Sequence, residues 1–312
     1  VTYTATVGAP VTGSPVVVTL ANGQTITIAV GQTTGTVTAT APNDALTGHA
    51  PLTTSITEVS GGNYENLVAD KTPVSTTVTD EPGTPGNEGD VVKVTITADQ
   101  VSVAENVKPT FTVHINTALA HDLVVTLSNN ATVTIKAGET SAPYTHEAQG
   151  DDVYKDAGNV QATIKTATGG SFENLVTSTA PAVTSVTDTI DTTTVKLTAT
   201  GTAAEGGTVT YTATVGAQVT GSPVTVTLAN GQTIVIPVGE SSNSVDFKAP
   251  DNALNTNVDL TNSITKVEGG NYEKLEHSTD TVTTTVTDDP STPTETGLSL
   301  TATGSVSEGG QI

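Results

Sequence analysis

Apolar and polar residues alternate with a period of two along most of this chain. Residues 1–7 (VTYTATV) place apolar side chains at the odd positions and threonines at the even positions. That alternation predicts a strand with one buried and one solvated face, as in antiparallel sheets. The pattern recurs at residues 209–215 and, in altered form, at residues 110–115. The chain is therefore predicted to be all-β.

A twenty-residue motif that runs from a glycine pair to an aspartate occurs three times. Its copies are residues 61–80 (GGNYENLVADKTPVSTTVTD), 169–188 (GGSFENLVTSTAPAVTSVTD) and 269–288 (GGNYEKLEHSTDTVTTTVTD). The spacing of the copies is that of whole small domains in tandem, roughly 100 residues each. Each copy reads as a tight loop that enters a strand with a carboxylate at its far end.

Turn signals divide each repeat into short strands. The dipeptides Asn22-Gly23 and Asn230-Gly231 predict type I′ turns in two-residue hairpins, and Asn129-Asn130 predicts a looser turn in the second repeat. About seven strands per repeat with regular turns indicate an immunoglobulin-like β-sandwich. The predicted fold is a set of tandem immunoglobulin-like β-sandwich domains in an extended array.

The repeat spacing predicts the domain boundaries. We expect a first repeat at residues 1–81 that lacks its first strand, a linker at 82–90, a second repeat at 91–190 and a third at 191–289. Residues 290–312 are expected to be a linker and the first strand of a following repeat. The simplest interpretation is a window of a longer polypeptide. The alternative is head-to-tail self-association, in which residues 298–302 of one chain complete the first domain of the next.

The charge balance narrows the classes of partner. The chain has 32 acidic residues against ten basic ones and a net charge of −22, so nucleic acid and anionic membranes are poor partners. No apolar run approaches the ~20 residues that span a bilayer, and we expect no membrane insertion. The chain has no cysteine for disulfides or thiolate chemistry. The five histidines fall at unrelated repeat positions without a catalytic motif, which predicts that the chain is not an enzyme.

Acidic residues gather at one end of each predicted sandwich. In immunoglobulin topology three loops and the end of the last strand meet at one pole, while the glycine loop lies at the opposite pole, where Glu273 approaches the preceding linker. Crowded carboxylates are suitable ligands for Ca²⁺, which takes six to eight oxygens; an isolated aspartate in a turn is equally explained by turn chemistry. The candidate Ca²⁺ ligands are Asp44, Asp80, Glu105, Asp151, Asp152, Asp156, Glu173, Asp188, Asp191, Glu205, Asp251, Asn252, Glu273, Asp288 and Asp289.

Several sequence pieces, taken in order, resemble the extender domains of giant bacterial surface adhesins of the LapA-like biofilm type. These pieces are EGG followed by TVTYT at residues 205–212, VTLANGQTI at 226–234, GDDVYKDAG at 150–158, GGSFENL at 169–175 and VTDT at 186–189. The resemblance implies extracellular modules on the bacterial cell surface, exported by type I secretion and rigidified by Ca²⁺. It further implies a spacer that supports cell attachment and biofilm formation. The first and third repeats depart from the DDVYKDAG turn.

A directly adhesive module for a glycan or a host protein is the rival class of function. It predicts a divergent exposed loop, and the nearest candidate is residues 120–122 (AHD) of the second repeat. The sequence does not name a surface or host ligand. The partners that it does predict are adjacent repeats of the same polypeptide.

Overall fold

The computed structural model describes residues 1–80, 89–288, 295–302 and 304–311. Regular secondary structure within these residues consists of β-strands, which confirms the all-β prediction. By spatial contacts the chain divides into two units. The first comprises Val1–Val101, Pro109–Glu147 and Asn159–Thr184, and the second comprises Ser102–Lys108, Ala148–Gly158 and Ser185–Ile312. The described residues contain no helix that could span a membrane.

The first repeat lies wholly in the first unit. Its sheets have the orders β1-β4, β3-β2-β6 and β5-β7. The alternation predicted from the sequence is visible within β2. Val16, Val18 and Leu20 are buried in the core, and the residues between them, Val17 and Thr19, are half-buried. The strands are β1 (Thr2–Thr6), β2 (Val16–Leu20), β3 (Thr25–Ile28), β4 (Thr34–Thr38), β5 (Leu52–Thr54), β6 (Ile56–Gly61) and β7 (Val74–Thr76).

The second repeat packs a larger core. Its fully buried side chains include Phe111, Leu123, Leu127 and Ile135. The strands are β8 (Val91–Ala98), β9 (Ser102–Ala104), β10 (Thr110–Ile115), β11 (Leu123–Leu127), β12 (Thr132–Ile135), β13 (Ser141–Thr145), β14 (Gly158–Ala162), β15 (Ile164–Gly169), β16 (Asn174–Thr177) and β17 (Ala182–Thr187). One sheet has the order β13-β10-β8-β16, and β11 lies between β12 and β15 in another.

The third repeat, wholly in the second unit, shows the sandwich most clearly. One layer is the sheet β23-β20-β18-β26; the other contains β22-β21-β25 and β19-β27-β24. Ser263 alone separates β24 from β25, so these two pieces share one long strand, and the first strand is divided between the layers as β18 and β19. The strands are β18 (Thr192–Ala199), β19 (Thr202–Ala204), β20 (Thr208–Val215), β21 (Val224–Leu228), β22 (Thr233–Ile236), β23 (Ser242–Lys248), β24 (Val258–Asn262), β25 (Ile264–Glu268), β26 (Lys274–His277) and β27 (Val282–Thr287).

Two short strands were not expected from the sequence. The segments β16 and β26 follow the glycine loops and pair in parallel with the first strands, β8 and β18 respectively. Leu175 and Leu275 pack against the two cores from these segments. Burial of a leucine therefore favours the pairing of the segment after each glycine loop with the edge of a sheet.

The hairpin turns differ from the prediction of type I′ geometry. Gly23 and Gly231 have positive φ, but among the described non-glycine residues only Asn130 and Ser171 do, so the preceding asparagines are not left-handed. Leu20 N donates to Gln24 O at 2.9 Å and Gly23 N donates to Leu20 O at 3.0 Å, which defines a three-residue loop with its last residue left-handed. In the second repeat Asn130, with φ 65, takes the place of glycine and keeps both hydrogen bonds. The prediction of a looser turn there is also wrong.

The terminal segment forms no strand within its described residues, 295–302 and 304–311. Leu298 and Leu300 are 99% and 96% exposed. The apolar alternation predicted a strand here, but a strand is stabilised by pairing with a neighbour, and none of the described strands pairs with this segment.

The first glycine of each glycine loop is required by both backbone conformation and space. Gly61, Gly169 and Gly269 have φ values of 84, 104 and 98. A Cβ on them would lie 2.1, 2.5 and 2.1 Å from the carbonyl oxygens of Pro15, Asp122 and Pro223. The loop therefore turns tightly against the start of a neighbouring strand, which no other residue permits without movement.

Gly269→Ala is expected to destabilise the third repeat more than Gly231→Ala. Both positions have positive φ, which costs about 1–2 kcal/mol for alanine, but a Cβ at Gly231 meets nothing within 4 Å. The clash at Gly269 adds about 1–3 kcal/mol. Chemical denaturation of both variants measures the difference, and equal losses would show that the close approach to Pro223 has no energetic importance.

Candidate metal centres

The second junction joins the turn at residues 151–156 to the glycine loop at residues 269–273, both in the second unit. Lys155 N donates to Asn271 O at 3.0 Å, and Glu273 N donates to Val153 O at 2.9 Å. Between these bonds the rings of Tyr154 and Tyr272 stack with their centroids 5.6 Å apart. Tyr272 is buried, and its ring also contacts the preceding repeat.

Glu105 is the buried acid at this junction. It follows β9, and its N–H donates to Thr187 O at 3.0 Å, so the end of the last strand fixes its position. Its carboxylate oxygen Oε1 accepts hydrogen bonds from Thr189 N at 2.8 Å and Thr189 Oγ1 at 2.9 Å. The other oxygen, Oε2, is buried and has no hydrogen-bond partner among the described residues.

Two aspartates face this glutamate. One ligand atom from each of Glu105, Asp156 and Asp188 lies within 4.8 Å of the others. Asp156 N donates to Asp188 Oδ1 at 3.1 Å, and Gln149 Nε2 donates to Asp156 Oδ1 at 2.6 Å. Desolvation raises the pKa of Asp156 above its ordinary value, and the negative charges of Asp152, Glu105 and Asp188 raise it further. The neighbouring carboxylates therefore oppose the ionisation of Asp156.

Glu273 brings a fourth carboxylate from the next repeat. Its Oε2 accepts a 2.5 Å hydrogen bond from Asp191 N, and its Oε1 is buried without a partner among the described residues. The Asp191 N–H lowers the pKa of Glu273, but burial, the adjacent carboxyl group of Glu105 and the charge of Asp191 outweigh it and raise the pKa. Two unpartnered oxygens thus lie in one group of acids, which is the arrangement that a hard cation fits.

The other predicted ligands at this pole have turn or supporting roles. Asp152 Oδ1 accepts a hydrogen bond from Tyr154 N at 2.7 Å, the geometry of an Asx turn. Asp151 Oδ1 accepts one from Thr189 Oγ1 at 2.9 Å. Asp191 contributes its backbone N–H to Glu273. Turn chemistry therefore explains Asp152 in this structure, as the alternative interpretation held for isolated aspartates.

The first junction repeats the backbone pattern within the first unit. It joins residues 44–49 to the glycine loop at residues 169–173: Thr47 N donates to Ser171 O at 2.9 Å, and Glu173 N donates to Ala45 O at 3.1 Å. Asp80 accepts from Gly48 N, as Asp188 accepts from Asp156 N. Glu173 accepts from Asp90 N at 3.0 Å.

His49 lies among the acids of the first junction and was not predicted from the sequence. Its Nε2 is 3.8 Å from Asp80 Oδ1 and 4.0 Å from Asp44 Oδ1, and its side chain is 12% exposed. Ligand atoms of His49, Asp80 and Glu173 lie within 4.8 Å of one another. The sequence did carry a signal, because His49 follows Asp44 in the same polar turn and so lies at the same pole.

The candidate ligands of the third repeat are less closely grouped. Asn252 Nδ2 donates to Glu205 Oε1, and Asn252 Oδ1 accepts from Leu254 N at 2.7 Å. Asp251 is exposed and Asp288 is half-buried. In the described part of the chain these residues are not in a group of three acidic ligands. Asp289 lies outside the described residues.

The loop at residues 120–122, the nearest candidate for a ligand-binding loop, is held from within. Asp122 forms a 2.7 Å ion pair with Lys136 and accepts a hydrogen bond from Ala137 N at 3.0 Å. The bond from Lys136, followed by the one from Ala137, lowers the pKa of Asp122. These contacts give the aspartate a structural role in the loop.

Repeated β-sandwiches that meet at acid-rich junctions define a modular tandem-repeat protein. The family model of the LapA domain matches residues 1–81, 90–189 and 191–289. The chain belongs to the LapA domain family, which confirms the resemblance to adhesin repeats drawn from the sequence. Members of this family are adhesin repeats, a non-enzymatic kind of protein, and membership implies a location at the cell surface.

One solved structure, described as a tetra-tandem repeat in the extending region of a large adhesion protein, is 19% identical to this chain. The match covers 91% of this chain and 69% of the other, with a TM-score of 0.29. The comparison with curated proteins gives no match.

The raised pKa of Glu273 predicts a pH dependence in the absence of divalent cations. Between the ordinary carboxyl value of 4.5 and the raised folded-state value, the folded chain binds more protons than the unfolded chain, so stability falls as pH rises. Glu273→Gln removes this contribution. In chelator, the stability of the wild type relative to Glu273→Gln is expected to decrease from about pH 4 to pH 7. Thermal unfolding across that range measures it, and parallel pH profiles for the two proteins would contradict it.

Proposed function

We propose that this chain is a structural spacer of a bacterial cell-surface adhesin, exported by type I secretion, whose repeat junctions are rigidified by Ca²⁺. In this role the repeats hold an adhesive region away from the cell and support attachment and biofilm formation. The observation that carries the calcium proposal is the buried Oε2 of Glu105, which has no hydrogen-bond partner among the described residues, in a carboxylate that lies beside those of Asp156 and Asp188.

Calcium at the second junction would be held by residues of two successive repeats. Glu105, Asp156 and Asp188 come from the second repeat, and Glu273 comes from the third. These groups offer hard carboxylate oxygens, the ligands that Ca²⁺ prefers. Its charge would offset the mutual repulsion that raises the pKa values of Asp156 and Glu273. A cation there would oppose bending because it binds both repeats at once.

The rival class, a directly adhesive module, is supported less by the contacts of this chain. The candidate loop at residues 120–122 has its aspartate engaged by Lys136 and Ala137. Binding of the purified chain to cells, glycans and abiotic surfaces, measured with and without Ca²⁺, separates the two classes. A spacer gives no saturable binding, whereas saturable binding lost on substitution of His121 would favour the adhesive module.

Glu105→Gln is expected to have opposite effects with and without calcium. With dissociation constants of roughly 10⁻⁴ to 10⁻³ M, about 10 mM Ca²⁺ stabilises a site by about 1.4–2.7 kcal/mol. The variant keeps an oxygen for Thr189 but removes a charge. It should therefore lose most of the stabilisation by Ca²⁺, and in chelator it should be at least as stable as the wild type.

Melting temperature measured in Ca²⁺ and in chelator tests this expectation. The matched control is Glu139→Gln, the same change at an exposed position, which should respond to Ca²⁺ as the wild type does. Solution scattering should also show more bending between repeats after chelation. If chelator changes neither melting nor scattering of the wild type, the acids serve only in turns.

Assembly by strand donation is a second candidate, favoured by the open edge of β1. Among the described strands β1 pairs only with β4, whereas its third-repeat counterpart β20 pairs with both β23 and β18. A groove of 180 Å³ lined in part by Tyr3, Ala5 and Ile26 lies in this repeat. In the third repeat Leu197 lies opposite Ala213, and the equivalent pairing would place the exposed Leu300 of a second copy opposite Ala5.

Leu300→Asp is expected to abolish any self-association that depends on strand donation, because a charged side chain would enter the apolar face of the first repeat. Ser305→Asp adds the same charge outside residues 298–302 and is the control. Sedimentation velocity of both variants, beside the wild type and residues 1–290, measures the assembly state. A wild-type assembly that survives both Leu300→Asp and the deletion excludes strand donation.

A further inference from the structure

The first junction offers a nitrogen ligand that the second junction lacks. The residue equivalent to His49 in the second repeat is Ala157, and the residue equivalent to Gly48 is Asp156. The carboxylate of Asp156 at one junction is therefore replaced by the imidazole of His49 at the other, one position further along the same turn. The two junctions share a backbone pattern but not a set of ligand atoms.

The imidazole faces oxygen ligands at distances close to those in a metal site. His49 Nε2 lies 3.8 Å from Asp80 Oδ1 and 4.0 Å from Asp44 Oδ1. Two ligands of a tetrahedral Zn²⁺ ion lie about 3.3 Å apart, as follows from metal–ligand distances of about 2.0–2.2 Å. Since the Glu173 ligand atom lies within 4.8 Å of the others, small side-chain rotations suffice to bring three ligands to one ion.

Backbone donors already position the three carboxylates. Gly48 N donates to both oxygens of Asp80 at 3.0 and 3.2 Å. Asp90 N donates to Glu173 Oε2 at 3.0 Å, and Leu46 N donates to Asp44 Oδ1 at 2.8 Å. Each of these oxygens keeps a lone pair for a metal. Such outer contacts orient ligands and reduce the reorganisation that binding requires.

The ligand chemistry favours a different ion from that proposed at the second junction. Ca²⁺ takes oxygen ligands, whereas imidazole is a common ligand of Zn²⁺, Cu²⁺ and Ni²⁺. We propose that the first junction binds a divalent transition-metal ion of the Zn²⁺ class through His49, Asp80 and Glu173, with Asp44 as an additional oxygen donor. This inference shares with the proposed function the premise that a cation joins successive repeats. It differs in the ion at the first junction, which is a transition metal instead of Ca²⁺.

Binding of Zn²⁺ to the metal-free 312-residue chain tests the proposal. Calorimetry with Zn²⁺ and visible absorption with Co²⁺ are applied to the wild type, His49→Ala and His121→Ala. The first variant installs the residue found at the second junction, and the second removes an exposed histidine. The wild type and His121→Ala should each bind Zn²⁺ at one site with the same affinity. His49→Ala should weaken this binding by more than the factor of about 10–100 that is typical of outer-shell changes.

Asp80→Asn extends the test to an oxygen ligand, because it keeps an acceptor for Gly48 N but removes the charge. It should weaken Zn²⁺ binding without loss of the folded state, which circular dichroism measures. Imidazole resonances of His49 should shift with Zn²⁺ and not with Ca²⁺. A histidine that only contacts Asp80 would show no shift with Zn²⁺, and its replacement in His49→Ala would not weaken Zn²⁺ binding. The absence of the shift, or unchanged binding in His49→Ala, overturns the proposal.

The test also separates this inference from the calcium proposal. Glu105→Gln should retain the Zn²⁺ site, and His49→Ala should retain the stabilisation by Ca²⁺ that depends on Glu105. If Zn²⁺ binding is unchanged in His49→Ala, or falls equally in His121→Ala, the transition-metal site is wrong whatever Ca²⁺ does. If Ca²⁺ has no effect but Zn²⁺ binding requires His49, the transition-metal site stands alone.

Discussion

The joint between the second and third repeats depends on how the crowded carboxylates around Glu105 are compensated. A charged group that water does not reach raises the free energy of the folded state unless donors or an opposite charge surround it. Thr189 satisfies one oxygen of Glu105. The other oxygen has no hydrogen-bond partner among the described residues, and the carboxylates of Asp156, Asp188 and Glu273 lie near this glutamate. Ionic conditions therefore act directly on the contact between repeats and only indirectly on the sandwich cores.

The glycine loops make this contact possible. Gly269 lies against the carbonyl of Pro223, and a Cβ on Gly270 would meet the ring of Tyr272 at 2.6 Å. The absence of side chains lets the ring fold back over the loop, where it seals the core and donates from its hydroxyl group to Ala217 O at 2.7 Å. The same turn presents the backbone and carboxylate of Glu273 to the preceding repeat. One loop thus serves the interior of its own domain and the surface of its neighbour.

Sequence reasoning succeeded where the determinants are local or follow from topology. The period of two predicted the strands, and the placement of loops at one pole predicted that Glu105, Asp156 and Asp188 would lie near one another. It failed for β16 and β26, because their pairing with the first strands is a long-range contact. It also failed for the turn at Asn22-Gly23, because the same dipeptide fits a three-residue loop with only the glycine left-handed. His49 was not predicted because it occurs in one repeat, and the predicted ligands were inferred from features that recur among the repeats.

The side chains at the centres of the two junctions differ although the backbone bridges match. Leu46 is bridged to Phe172 in the first, whereas Tyr154 is bridged to Tyr272 and stacked on it in the second. Neighbouring domains of similar sequence are prone to misassembly, since a newly folded turn meets several nearly equivalent loops. Different side-chain pairs at equivalent positions give each junction a contact of its own. A turn that met the loop of the other junction would therefore make a different side-chain contact from the one in the structure.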